Sequence, residues 1–178
     1  MTSRRKTWQE KLADKAGLPK VLKLEAQFPC YNALHKMGVE AGEDVVLVNP
    51  SEIVACMKKV PYGKVVTIVE ICKHIAKQHH VQGCCSLTTG IFIMTAANAV
   101  EEARNEGVDM GIPYWRTLKA DGYLNEKFPG GDQAHKALLE KEGLKVVAVG
   151  QRWRVENYQA YLADELRVSL TETGTETG

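Results

Sequence analysis

The chain has 178 residues, of which 44% are apolar and 25% are charged, with 23 Lys and Arg against 22 Asp and Glu. That length supports one globular domain with a sizeable core. The net charge of +1 excludes both a uniformly basic nucleic-acid-binding surface and an acidic disordered chain. No apolar run approaches the roughly 20 residues that cross a bilayer, and no apolar core follows the basic start, so we expect a cytoplasmic protein without membrane association.

Charge divides the chain into four predicted regions. Residues 1–50 form a basic N-terminal extension, because the first 25 residues hold seven basic and three acidic side chains. Residues 51–143 form the main domain, and residues 144–168 add a strand and a helix. Residues 169–178 lack the apolar side chains needed to fold, which predicts a disordered tail.

In the first two-thirds of the chain, the patterns predict one strand and four helices. The strand covers residues 44–48. The helices cover residues 6–16, residues 51–60, residues 68–78 after Thr67 as N-cap, and residues 86–105.

Beyond Gly107 the pattern changes. Residues 115–118 and 123–124 flank an Asp-Gly turn and predict a short hairpin. A helix over 133–141, a strand over 145–149 and a final helix over 155–167 follow. The predicted fold is a mostly helical α+β domain with a winged-helix-like helix-turn-helix core and a short β-hairpin.

Three segments carry a more specific pattern. They are Val-Pro-Tyr-Gly-Lys-Val-Val-Thr at residues 60–67, Ile-Pro-Tyr-Trp-Arg-Thr at residues 112–117, and Gly130-Gly131 followed by Lys-Ala-Leu-Leu-Glu-Lys-Glu-Gly at residues 136–143. In order and spacing they resemble the DNA-binding and active-site domain of the DNA alkyltransferases that repair alkylated guanine. The resemblance covers about residues 51–143.

The resemblance implies that the reactive residues of this family have been replaced. In the family, a cysteine activated through a histidine and a glutamate takes the alkyl group from the base. Here Tyr114 stands at the cysteine position and Trp115 at the histidine position, and only Glu142 remains. Because a phenol titrates near pH 10 and no histidine lies beside it in the sequence, we predict no catalytic residue and no enzyme activity. The pattern is similar to that of the alkyltransferase-like proteins, which bind alkylated DNA without repairing it, although those typically carry Trp-His rather than Tyr-Trp.

By the same resemblance, the protein is expected to bind altered bases in duplex DNA and to have a role in DNA repair. The partner is duplex DNA with a flipped base, and a downstream repair protein is a further candidate. The residues implied for the lesion pocket are Tyr114, Trp115, Asn125, Phe128, Gly130, Gly131 and Glu142. Those implied for DNA contact are Lys64, Thr67, Ile68, Leu87, Thr88 and Thr89.

Several alternatives stay open at this point. Tyr114 and Trp115 either line a pocket or pack in a core, and Leu87 is either an apolar wedge between bases or a core residue. The scaffold could instead serve as a protein-interaction or small-ligand module, and Cys84 or Cys85 could accept an alkyl group. We predict no cofactor and no metal, because adjacent pairs such as His79-His80 rarely direct both side chains at one ion.

Overall fold

The computed structural model describes residues 3–15 and 17–166. The predicted tail at residues 169–178 lies outside the described residues. The helices are α1 Trp8–Ala13, α2 Tyr31–Lys36, α3 Pro50–Lys58, α4 Ile68–Gln78, α5 Ser86–Asn105 and α6 Gly131–Lys141. The strands are β1 Lys20–Lys23, β2 Asp44–Leu47, β3 Val66–Thr67, β4 Gly83–Cys84, β5 Thr117–Leu118, β6 Val146–Val149 and β7 Arg152–Val155.

Local capping explains where the helices of the helix-turn-helix unit begin. The Thr67 side chain accepts a hydrogen bond from the backbone of α4, and the Glu70 carboxylate accepts one from the Thr67 N–H at 3.0 Å. These two reciprocal bonds form a capping box. Asn49 and Glu52 form the same arrangement before α3, with a proline as the first helical residue. The predicted helices over 68–78 and 86–105 are confirmed.

The N-terminal region joins the helix-turn-helix unit through a three-stranded sheet in the order β1, β2, β4. Strand β2 runs antiparallel to β1 and parallel to β4, which lies in the turn between α4 and α5. The packing there is close, because a Cβ added at Gly83 would lie 2.9 Å from the Leu34 side chain. Strands β1 and β4 and helix α2 were not predicted.

The structure corrects the prediction for the C-terminal third in two places. The predicted hairpin at residues 115–124 is wrong, because β5 pairs in parallel with β3 and Leu124 donates to the Trp153 carbonyl at 3.0 Å. The predicted helix over 155–167 is also wrong for residues 155–166, which are the part of it that the structure describes. Strand β7 pairs antiparallel with β6, and Asn157 then takes a positive φ of 53° before two short 3₁₀ turns. The C-terminal third instead contains a hairpin formed by β6 and β7, which was not predicted.

The predicted α+β class is confirmed, because the helices are combined with small sheets. The main core joins α3, α4 and α5 to residues 112, 114 and 128. A second cluster lies under α6 and the β6–β7 hairpin, and a third joins residues 24–45 to Cys85 at the start of α5. Helix α5 is thus held from several sides. No helix among the described residues is long and apolar enough to span a membrane.

Candidate nucleic-acid interface

The first turns of α5 expose apolar side chains. Leu87 is 52% exposed and Ile91 is 56% exposed, and the two lie one helical turn apart on the same face. The interpretation of Leu87 as a core residue is therefore wrong. Ile91 was missed, although its spacing of four residues from Leu87 was visible in the sequence. Exposed apolar residues at the start of a second helix of this kind are suited to entering a nucleic-acid groove.

The remaining predicted DNA contacts divide into two groups. Lys64, Ile68 and Thr88 are half-buried and reach the surface. Thr67 and Thr89 are buried, which corrects the expectation that their side chains contact DNA. Thr67 caps α4, and the Thr89 hydroxyl donates to the Cys85 carbonyl at 2.8 Å, so both side chains are committed to holding the helix-turn-helix together.

The Tyr114 side chain is buried at 2% exposure. Its hydroxyl donates to Glu101 Oε1 at 2.8 Å, and its ring meets Trp115 and Phe128 edge to face at centroid distances of 5.5 and 5.3 Å. Burial, together with the hydrogen bond to the Glu101 carboxylate, raises the pKa of Tyr114 well above its usual value. The phenol is therefore a hydrogen-bond donor at neutral pH and not a phenolate nucleophile.

A buried carboxylate fixes the segment that follows Tyr114. Glu142 accepts hydrogen bonds from the Trp115 Nε1–H, from the Arg116 Nε–H at 2.9 Å and from the Gly63 N–H at 2.8 Å. Arg116 also donates to the Val60 carbonyl at 2.8 Å. Because an indole nitrogen donates but cannot accept, Trp115 keeps a hydrogen bond to the glutamate while offering no basic nitrogen.

His135 lies behind this segment and was not predicted. Its Nδ1 accepts the Asn125 N–H at 3.1 Å, so Nε2 carries the proton and donates to the Trp115 carbonyl at 2.7 Å. Its ring also lies 4.9 Å from the Phe128 ring. Burial lowers the pKa of His135 to about 4, so the ring is neutral at physiological pH. It positions the segment and does not act as a base for Tyr114.

The loop at residues 125–131 is folded against α5. The Asn125 side-chain amide lies 3.4 Å from the Met94 sulfur, and Phe128 is buried. Phe128 is thus part of the core in this structure, which corrects the expectation of an open stacking surface. Gly130 has a φ of 82°, and a Cβ there would lie 2.6 Å from the Ala134 Cβ, so this position requires glycine. Gly131 is half-buried beside it.

A cavity of about 510 Å³ opens beside Tyr114, between the end of α5 and the start of α6. That volume lies in the range of about 300–1,000 Å³ found for small-molecule sites. Arg104 pairs with Glu101 at 3.0 Å at its edge. The cavity is lined by Glu101, Arg104, Asn105, Tyr114, Pro129, Gly130, Ala134, Ala137 and Leu138. The three polar residues of α5 were missed because their sequence pattern is that of an ordinary helix end.

None of the five cysteines lines the cavity beside Tyr114. All five are buried, and burial raises the pKa of Cys30 and of Cys56 to about 11. Cys84 differs, because a hydrogen bond from Cys72 lowers its pKa. Within residues 3–15 and 17–166, no three His, Cys, Asp or Glu side chains are grouped so that they could hold a metal ion.

A helix-turn-helix unit, a hairpin and a Pro-x-x-Arg segment held by a buried glutamate define a DNA-binding class of domain. Residues 50–144, slightly more than half of the chain, match the family described as 6-O-methylguanine DNA methyltransferase, DNA binding domain, and the chain belongs to this family.

Two solved structures are similar over 64% of this chain and 92% of their own. One is S. pombe ATL in complex with DNA, at 18% identity and a TM-score of 0.45. The other is S. pombe Atl1 in complex with damaged DNA containing O6-carboxymethylguanine, at 19% identity and a TM-score of 0.44. No curated protein matches the chain.

Proposed function

We propose that this protein binds duplex DNA and holds an extruded, alkylated guanine without reacting with it, as a recognition step in DNA repair. The observation that carries the proposal is the state of residues 114 and 115. By the resemblance of the Pro-x-x-Arg segment, we assign these positions to the acceptor cysteine and the histidine of the alkyltransferase family. Here they hold a phenol with a raised pKa and an indole that is bonded to Glu142.

The chemistry of alkyl transfer requires a nucleophile and a group that takes its proton. Tyr114 keeps its proton, and Trp115 has no lone pair with which to accept one. The His135 imidazole, which bonds to this segment from α6, uses both of its nitrogens in hydrogen bonds to the backbone. The arrangement supports binding and gives no route to a transferred alkyl group at this position.

The start of α5 supports the contact with DNA. Leu87 and Ile91 are exposed where a helix-turn-helix protein presents its second helix to a groove. An apolar side chain there can enter a base step and fill the space that an extruded base leaves. Half-buried Lys64 and exposed Lys73 lie on or next to α4, where they can neutralise phosphates. This interaction is therefore expected to weaken with added salt.

The test is a titration, by fluorescence anisotropy, of two duplexes that differ only in a central guanine or O6-methylguanine. We expect the protein to bind the modified duplex more tightly by about tenfold, and both affinities to fall as salt is raised. Equal affinity for the two duplexes would overturn lesion recognition. Absence of binding to either duplex at low salt would overturn the function in DNA and favour a protein-interaction or small-ligand role.

A further inference from the structure

The cavity beside Tyr114 lies on the same face of α5 as the exposed apolar pair. Positions 87, 91, 94, 98, 101 and 105 recur at intervals of three or four residues and form one stripe along the helix. The stripe begins with Leu87 and Ile91, passes under the 125–131 loop at Met94, and ends at the cavity with Glu101 and Asn105. Side chains on a helix lean toward its N-terminus, so Glu101 leans toward the exposed start of α5.

At this end of the stripe, Glu101 and Arg104 have polar atoms that form no hydrogen bond or ion pair with other described protein groups. Glu101 Oε1 accepts a hydrogen bond from the Tyr114 hydroxyl at 2.8 Å and forms an ion pair with Arg104 Nη1 at 3.0 Å. Among the described residues, no protein group donates to Glu101 Oε2, and Arg104 makes no other hydrogen bond or ion pair. The edge of the cavity thus presents a carboxylate oxygen beside a guanidinium whose side chain is 51% exposed, and other protein groups leave both available to a ligand.

An acceptor beside a donor pairs with a base edge that has an amino group next to an unprotonated ring nitrogen, and guanine gains such an edge when it is alkylated at O6. Alkylation of guanine at O6 fixes the ring in a form whose N1 carries no hydrogen, while the 2-amino group remains. N1 therefore changes from a donor to an acceptor, and the neighbouring amine still donates. Unmodified guanine presents two adjacent donors instead, and a guanidinium facing N1–H would leave both donors unpaired. Buried polar groups without partners are costly, which makes this difference a basis for selection.

We propose that Glu101 and Arg104 determine lesion specificity in this cavity. Arg104 donates to the unprotonated ring nitrogen of an O6-alkylated guanine, and Glu101 Oε2 accepts from its 2-amino group. Tyr114 holds Glu101 in place through its hydroxyl and is a positioning residue. This inference rests on the proposed function, because it requires that an extruded base reaches the cavity.

The experiment compares three duplexes, with guanine, O6-methylguanine or O6-methylhypoxanthine at one position. The last base keeps the unprotonated N1 and lacks the 2-amino group. The proteins are the full chain, Glu101→Gln, Arg104→Gln and the control Glu106→Gln. Glu106 is the C-cap residue of the same helix and lies outside the cavity lining. Within residues 3–15 and 17–166 its side chain accepts only from Gln9, so its variant matches the change in charge. Thermal unfolding of each variant establishes that it is folded.

For the unaltered protein, we expect O6-methylguanine to bind at least about tenfold more tightly than O6-methylhypoxanthine, since a hydrogen bond to a charged group is lost with the amine. In Glu101→Gln that ratio should fall close to one. In Arg104→Gln the preference for O6-methylguanine over guanine should fall, and Glu106→Gln should keep both ratios.

Two results separate the inference from the proposed function. If the unaltered protein prefers O6-methylguanine to guanine but binds O6-methylhypoxanthine equally well, or if folded Glu101→Gln keeps the full ratio, the assignment of Glu101 is overturned while lesion recognition stands. If the unaltered protein shows no preference for O6-methylguanine over guanine, the proposed function fails, and the assignment fails with it.

Discussion

The start of α5 and the 112–116 segment differ sharply in their exposure to solvent. At the start of α5, two large apolar side chains are more than half exposed. In the 112–116 segment, the Tyr114 ring is buried, and the Trp115 indole and the Arg116 guanidinium both donate to the buried Glu142 carboxylate. A surface that contacts a partner has to stay open, whereas side chains that bond to one another inside the protein can pack and add stability. This contrast is the one that the proposed function, binding without reaction, requires.

The largest expected effect concerns Glu142, the buried carboxylate that holds the 112–116 segment. Replacing Glu142 with Ala removes the partner of Arg116 and Trp115 and leaves the guanidinium, whose side chain is 14% exposed, without its counter-charge. We expect the free energy of unfolding in urea to fall by about 3–5 kcal/mol. The matched control is Glu140→Ala, which removes an exposed pair with Lys136 at 3.7 Å and should cost less than about 1 kcal/mol. Similar losses for the two variants would contradict the structural role of Glu142.

The second prediction concerns pH and the buried His135. Its pKa is about 4 in the folded protein and about 6.5 when unfolded, so between these values the unfolded chain binds a proton that the folded protein does not. The free energy of unfolding should therefore fall as pH falls from about 6.5 to about 4, by roughly 3 kcal/mol from this residue. Urea unfolding of the protein and of His135→Gln across this range isolates the contribution. An equal loss in the variant would show that His135 does not carry it.

The third prediction concerns the exposed start of α5. Leu87→Ala should leave the free energy of unfolding within about 0.5 kcal/mol, because the side chain is exposed, yet weaken binding to a lesion-containing duplex by about tenfold. Val108→Ala removes a side chain of the same 52% exposure beyond the far end of α5 and serves as the control. If both variants bind DNA equally well, Leu87 is not a wedge.

The smallest expected effect concerns the Tyr114 hydroxyl. Tyr114→Phe keeps the ring in the core and removes only the hydrogen bond to Glu101, so we expect a loss of about 1 kcal/mol in the free energy of unfolding. Chemical denaturation measures it. A loss above about 3 kcal/mol would show that the hydroxyl does more than hold the Glu101 carboxylate.

Much of the helix-turn-helix unit could be predicted from local chemistry. The capping pair of Thr67 and Glu70 marks the start of α4, and the apolar and alanine-rich run after Ser86 marks α5. The family resemblance located the 112–116 segment and Glu142. These features depend on residues close together in the sequence, or on a motif of fixed spacing.

The features that were missed depend on distant contacts. Strand β4 has only two residues and exists because β2, some 40 residues earlier, pairs with it. The predicted hairpin at residues 115–124 fails because β3 and β7 take its strands as partners. The Glu101 carboxylate is held at the cavity by a hydrogen bond from Tyr114, which lies 13 residues further along the chain. A single sequence carries no local signal for such pairings.

The central claim is recognition without reaction, and one measurement tests it most directly. The protein is incubated with excess O6-methylguanine duplex at a concentration that anisotropy shows to be saturating, and the intact masses of protein and DNA are then determined. The account predicts complete binding with both masses unchanged. A protein heavier by one methylene group, with the DNA lighter by the same amount, would contradict it, and peptide mapping would then show whether Cys84, Cys85 or Tyr114 had accepted the group.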